Sequence, residues 1–247
     1  LCHNQSIPMN RIALILALLL SSLCADAYTL VIDAGHGGKD AGAVGRTSKE
    51  KNINLSVALA LGKMVEDNCP DVKVIYTRKK DVFVALDERA NIANRAKADL
   101  FISIHTNSTP GKTGPRGAET YTLGMHRAAD NLEVAKRENS VITLESNYEQ
   151  KYEGFDPNSS ELMQDRNMAQ SVRLARMVQE QFRVTAKRLD KGVHQAGFLV
   201  LRATSMPGVL VELGYINNPS EETYLNTQAG IAAMAKSIYK AIVAYRK

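Results

Sequence analysis

The chain has 247 residues, 45% of them hydrophobic and 23% charged, with a formal net charge of +5 and only five histidines and three cysteines. That length fits one substantial core. The mild positive surplus suits an anionic polymer surface and equally an ordinary basic protein.

Residues 1–27 read as a segment outside the fold. Arg11 precedes the apolar stretch Ile12–Leu20, and Ala25-Asp26-Ala27 supplies the small-x-small cleavage site of a signal peptide, with Met9 as the expected start and residues 1–8 as upstream read-through. The apolar run is shorter than the about 20 residues that span a bilayer, so no membrane span is expected in the mature chain. A lipid anchor on Cys24 is the rival reading, opposed by the bulky Leu23 before it. Export follows as the expectation, with the periplasm favoured over secretion or wall association. Only Cys69 then remains, so no intramolecular disulfide is possible and packing must hold the fold.

Residues 28–247 read as a single domain in which strands and helices alternate. Expected strands are Tyr28–Asp33, Val72–Thr77, Leu100–Ile104, Ala118–Leu123, Phe198–Leu201 and Val209–Leu213. Between them, Ile53, Val57, Leu61, Met64 and Val65 mark one helical face, and Leu86, Ala90, Ala93 and Lys97 a weaker one. Val172, Ala175, Val178 and Phe182 mark a third helix, and Ile231, Met234, Ile238, Ile242 and Tyr245 a C-terminal one. The alternation predicts an α/β fold, a largely parallel twisted sheet with helices on both faces. The nearly unbroken apolar run Leu100–Ile104 is what a strand covered on both sides requires.

One stretch departs from this pattern. Residues 124–166 are polar and turn-rich, with the breaker Asp156-Pro157-Asn158-Ser159-Ser160, and read as an insertion bordering the active site. From Asp130 to Asp165 nine acidic side chains face three basic ones, a net of −6 that leaves +11 for the rest of the chain.

Two histidines sit at matching places. His36 follows the first strand in Asp33-Ala34-Gly35-His36-Gly37-Gly38, and His105 ends another in Ile102-Ser103-Ile104-His105-Thr106-Asn107. The carboxyl ends of strands in an open α/β sheet form the ligand crevice, so both imidazoles point to one place. A catalytic zinc site needs a third protein ligand and an open fourth position. Glu50, opening the helix across the glycine-rich loop from His36, is the best placed, although an acid at that position also stabilises a helix N-terminus. Glu212, in Gly208-Val209-Leu210-Val211-Glu212-Leu213-Gly214, is a carboxylate in an apolar strand, costly unless paired or functional, and suited to act as a general base. His126 and His194 read as structural or peripheral. No His-Glu-x-x-His, Gly-x-Ser-x-Gly or phosphate-binding Gly-x-x-x-x-Gly-Lys loop is present, and Ser237 with Lys240 reads as a chance Ser-x-x-Lys match.

Together the segments Ile32–Gly38, Glu50 with Asn54-Leu55, Thr77-Arg78 with Leu86 and Arg89-Ala90-Asn91, Ser103–Asn107, Gly117-Ala118-Glu119 and Met206–Gly214 resemble the zinc-dependent N-acetylmuramoyl-L-alanine amidases of the type-3 catalytic domain. The resemblance spans nearly all of residues 28–247. It implies Zn2+ held by His36, Glu50 and His105, with Glu212 as the catalytic glutamate. It also implies peptidoglycan as substrate, cut at the amide between the lactyl group of N-acetylmuramic acid and L-alanine. The family often has Ser where Gly208 stands, and many members carry separate wall-binding repeats, for which this chain has no room; recruitment is then expected from the catalytic domain or a partner. Some relatives place an inhibitory helix where the acidic segment falls, released by a protein activator. A solvated loop shaping the substrate groove is the favoured alternative. A monomer without nucleic-acid partners is expected. Two other functions stay open: an exported zinc peptidase acting on stem peptides, and a non-catalytic peptidoglycan-binding module.

Overall fold

Alternate side chains of the central strands enter two separate apolar layers, which sets the architecture. In the computed structural model, which describes residues 27–124, 129–152 and 167–247, Leu30, Ile32, Ile102, Ile104, Val209 and Val211 lie in one core cluster, while Val31, Phe101 and Leu210 lie in the other. A strand with period-2 side chains and both faces apolar must be covered twice. Helices α1 (Glu50–Asn68), α5 (Met168–Val184) and α8 (Gln228–Tyr245) cover the first face through Ile53, Val57, Leu61, Leu174, Val178, Met234 and Ile238. Helices α2 (Leu86–Arg95), α3 (Ala129–Asn139) and the single turn α6 (Leu199–Arg202) cover the second through Leu86, Ala93, Val134, Ala135 and Leu199–Leu201.

The sheet has six strands in the order β2-β1-β3-β6-β4-β5, namely β1 (Tyr28–Ala34), β2 (Val72–Tyr76), β3 (Leu100–Asn107), β4 (Ala118–Leu123), β5 (Asp190–Ala196) and β6 (Gly208–Tyr215). β1, β2, β3 and β6 are mutually parallel; β4 runs antiparallel to β6 and parallel to β5. The expected α/β fold with a largely parallel sheet and helices on both faces is therefore found. Helices α4 (Tyr148–Lys151) and α7 (Pro219–Leu225) are short, and α7 carries a side-chain cap from Asn218. None of the helices among the described residues is long and apolar enough to cross a membrane.

Two expectations need correction. Phe198–Leu201 is not a strand: Leu199–Arg202 forms α6, whose turn buries Leu199, Val200 and Leu201 together, as a strand with alternating faces would not. The sixth strand is instead Asp190–Ala196, a polar edge strand bent by a register shift opposite Ala118/Thr120, with Gly192 at φ 96°. Edge strands carry charge and irregularity to avoid further pairing, which removes the apolar signal. The second correction concerns residues 124–166. The described part is not a loop but α3, a 3-10 turn at Ser140–Leu144 and α4. The leader with Cys24, His126 and the Asp156–Ser160 breaker lie outside the described residues.

Candidate metal centre and active site

The first strand delivers His36 through a loop whose carbonyls are held by two buried guanidinium groups. Arg78 donates to the carbonyls of Ala34 and Gly35 (both 2.8 Å), and Arg89 to those of Ala34 (2.8 Å) and His36 (2.9 Å). Arg89 also donates to Asp33 at 2.7 Å, and Thr77 and Ser103 complete that buried carboxylate. His36 itself takes φ 61°, and a Cβ at Gly35 would lie 2.3 Å from the His105 ring, so only glycine permits this approach. Asp40 accepts from His36 Nδ1 at 2.7 Å, which fixes the tautomer and leaves Nε2 free to act as a ligand.

Glu50 begins α1 but does not cap it. Its Oε2 accepts from Ala43 N (2.8 Å), its Oε1 from Thr106 N (2.9 Å) and Asn54 Nδ2 (3.2 Å), and Thr106 in turn donates to Asn54 (2.9 Å). This lattice turns the carboxylate back toward the sheet, so its Oε1 lies 3.1 Å from His36 Nε2 and 3.2 Å from His105 Nδ1. The reading of Glu50 as a helix-stabilising acid therefore does not describe its contacts.

A fourth group joins them. Glu138, from α3, places Oε2 3.0 Å from His36 Nε2 and 2.9 Å from His105 Nδ1. His36, Glu50, His105 and Glu138 are all buried, with one ligand atom each within 4.8 Å of one another. Ligand atoms about 2.0–2.2 Å from a tetrahedral zinc stand roughly 3.3–3.6 Å apart; the four separations above are somewhat shorter, and all the ligand atoms lie within 4.8 Å of one another. His36 Nε2 and Glu138 Oε2 are also buried without a satisfied hydrogen bond. Protonation gives the same reading. Burial opposes charge on His36, but Glu50, Asp40 and Glu138 push its pKa well above the ordinary histidine value; Glu138 and Glu50 likewise outweigh burial at His105. Burial would raise Glu50 and Glu138, yet the imidazoles, and for Glu138 first Arg137, hold both below the usual carboxylate range. Two anions facing two proton-hungry imidazoles call for about two positive charges at the centre, which a divalent cation supplies. The residues present fit a zinc-type donor set of imidazole and carboxylate.

Glu212 lies one strand away and outside that cluster. It pairs in register with His105 on β3 and with Glu119 on β4, so the three side chains share the face that α3 covers. It is fully buried, both its oxygens lack a hydrogen-bond partner, and its nearest cation is Arg137 at 3.8 Å. Burial first, then repulsion from Glu138, pushes its pKa well above the ordinary value. Arg137 is held in turn by Glu138 (2.8 Å) and by the Ser108 carbonyl (2.6 Å). Glu119 is tied by Tyr215 (2.6 Å) and Asn107 (2.7 Å), and His194 stands 3.5 Å from it.

The structure thus brings His36, Glu50, His105 and Glu212 to one crevice. Sequence reasoning missed Asp40 and Glu138. The available signal was spacing: Val134, Ala135 and Glu138 fall on one helical face, and an acid on an apolar face is costly unless it has a partner.

A family model described as N-acetylmuramoyl-L-alanine amidase matches residues 30–244. The N-acetylmuramoyl-L-alanine amidase AmiC of Escherichia coli O6:H1 is 32% identical over 221 residues, which are 87% of this chain and 52% of the relative, so the chain spans about half that protein's length. AmiA of Escherichia coli K12 is 32% identical over 222 residues, 87% of this chain and 75% of AmiA. Among solved structures, an N-acetylmuramoyl-L-alanine amidase from Clostridium difficile 630 is similar with TM-score 0.69 and 28% identity, over 90% of this chain and 98% of that one.

Proposed function

The chain belongs to the N-acetylmuramoyl-L-alanine amidase family, and from that membership we propose that it is a zinc-dependent hydrolase. Its substrate is the peptidoglycan amide between the lactyl group of N-acetylmuramic acid and L-alanine. The observation that carries the proposal is the convergence of His36, Glu50 and His105 beside a buried Glu212 whose oxygens lack a hydrogen-bond partner. His36, Glu50 and His105 would hold the zinc, which supplies Lewis acidity to the scissile carbonyl and lowers the pKa of the attacking water toward about 7.

The chain's own groups do the rest. Asp40 keeps the His36 ring oriented, and the Glu50 lattice with Ala43, Thr106 and Asn54 keeps its carboxylate aimed inward. Glu212, raised in basicity by burial, takes the proton of the attacking water and returns it to the departing alanine nitrogen. The products are a lactyl carboxylate on the glycan and a peptide with a free L-alanine.

The proposal includes a resting state in which Glu138 would help hold the metal beside His36, Glu50 and His105 while Arg137 stands 3.8 Å from Glu212. This is the inhibitory reading of the acidic segment, set against the groove-loop reading. The observation favouring it is that Glu138 approaches both imidazoles at 3.0 Å or less. Substrate then requires α3 to move, and a protein activator that draws it away is the partner this arrangement calls for. Action in the exported, peptidoglycan-facing compartment follows from the substrate.

The test is a pair of variants on a soluble disaccharide-peptide. Glu212→Gln is expected to lose hydrolysis and keep zinc, and His36→Ala to lose both. A Glu212→Gln protein that binds no zinc, or stays fully active with it, contradicts the division of roles.

A further inference from the structure

Beside the metal set, a cavity of about 730 Å³ opens between α3 and the segment joining β3 to β4. That volume lies in the roughly 300–1,000 Å³ range of sites for ligands the size of a short peptide. Glu119 and Tyr215 line it, and Glu119 is the register partner of Glu212. The cavity therefore lies on the Glu212 side of the centre, away from the His36 loop.

Its charges are unequally committed. Glu119 is occupied by Tyr215, Asn107 and Tyr121, and Glu133 is paired with Lys136 at 3.1 Å. Lys112 and Lys191 also line the cavity, both exposed, and among the described residues neither ammonium has a carboxylate partner. The Lys191 ammonium lies 5.0 Å from the centre of the Tyr215 ring, which leaves its donors free. The segment carrying Lys112 is pinned from behind β6. Asn217 accepts from Thr109 N (3.1 Å) and donates to the carbonyls of Thr109 (2.8 Å) and Lys112, while Asn218 donates to that of Pro115 (3.1 Å). Lys112 on this pinned segment and Lys191 on β5 thus stand on the wall opposite α3, which stays in place when α3 moves.

The chemistry gives this cavity a direction. Glu212 returns its proton to the departing nitrogen, so the leaving half of the substrate must extend past Glu212, into the cavity. We propose that the cavity is the subsite for the leaving stem peptide, and that Lys112 and Lys191 select peptides bearing free carboxylates over amidated ones. The occupant's identity rests on the amidase reading above; the charge selection rests on the cavity itself.

Titration calorimetry of the whole chain with free stem tripeptide, in carboxylate and amidated forms, tests this. Each partly solvated ion pair is worth about a fewfold in affinity, so the Lys112→Glu/Lys191→Glu protein is expected to bind the carboxylate form roughly tenfold more weakly than wild type does. The amidated form should bind both proteins equally. Equal affinity of wild type for the two forms, or unchanged binding by the variant, overturns the proposal. Both lysines are exposed, and circular dichroism checks that the variant folds. Hydrolysis of the matching muramyl-peptide by the zinc-loaded Glu138→Ala protein, measured in parallel, separates the two readings. Charge-dependent peptide binding without hydrolysis sinks the amidase reading and leaves the subsite standing; hydrolysis without charge-dependent binding does the reverse.

Discussion

Removing the Glu138 carboxylate by Glu138→Ala is expected to raise activity. Its Oε2 makes two short contacts, 3.0 Å to His36 Nε2 and 2.9 Å to His105 Nδ1. Close buried charge pairs couple by about 1.5–7 kcal/mol, and with zinc loaded the same carboxylate would face the metal's charge instead of the imidazolium groups. After allowance for non-additivity, the closed state is favoured by roughly 2–4 kcal/mol, leaving only about one molecule in 30 to 1,000 competent. Not all of that is released by the substitution. Asn139 still donates to the Gly197 carbonyl (2.8 Å) and accepts from Leu199 N (2.9 Å), and Glu145 still accepts from Leu86 N (2.8 Å). These anchors keep the segment near the crevice, so the observed gain should fall near the lower end, about 10- to 100-fold in kcat/KM. The assay is peptide release from a soluble muropeptide at saturating zinc, followed chromatographically. Unchanged or reduced turnover in a folded, zinc-loaded Glu138→Ala protein would refute the resting-state reasoning.

Other perturbations probe the same site. Glu212 must be deprotonated to act as base, and Glu138 is a buried anion that raises its pKa, so Glu138→Ala should move the acidic limb of the kcat/KM profile to lower pH; a shift upward contradicts the electrostatics. Zinc requires neutral imidazoles, whereas His36 and His105 hold protons above the ordinary histidine range in the metal-free chain. Zinc affinity should therefore rise with pH through that range with release of protons, readable by calorimetry in buffers of different ionisation enthalpy. Asp40→Ala removes the partner of His36 Nδ1 and should weaken zinc binding about 10- to 100-fold without unfolding the protein, measured by chelator competition. Arg89→Met strands the fully buried Asp33 and should cost about 3–5 kcal/mol in denaturant unfolding; a loss below 1 kcal/mol would show that Asp33 finds other partners.

The parts of this site legible in the sequence are those set by local pattern. His36 and His105 stand at strand ends, and Glu212 is a charge inside an apolar strand, so register alone brings them to one edge. Glu50 needed more, because only its bonds to Ala43, Thr106 and Asn54 distinguish a ligand from a helix-opening acid. Glu138 was hidden by its surroundings. Within an acidic segment it counts as solvated charge, and only the docking of α3 through Val134 and Ala135 gives it buried partners distant in sequence. The same limit explains the sheet edge. Phe198–Leu201 is apolar enough for a strand but too short to reveal its period, while the true strand Asp190–Ala196 is polar because it is an edge.

The central claim, that this chain cuts the lactyl–alanine amide, is tested most directly by digesting purified peptidoglycan with the zinc-loaded protein and identifying the products by mass spectrometry. The Glu138→Ala form serves if the resting state is slow. The account predicts glycan strands with a bare lactyl carboxyl group and free peptides beginning with L-alanine. Alanine left on the sugar would mean a peptidase, intact material with retained protein would mean a binding module, and either result would contradict the account.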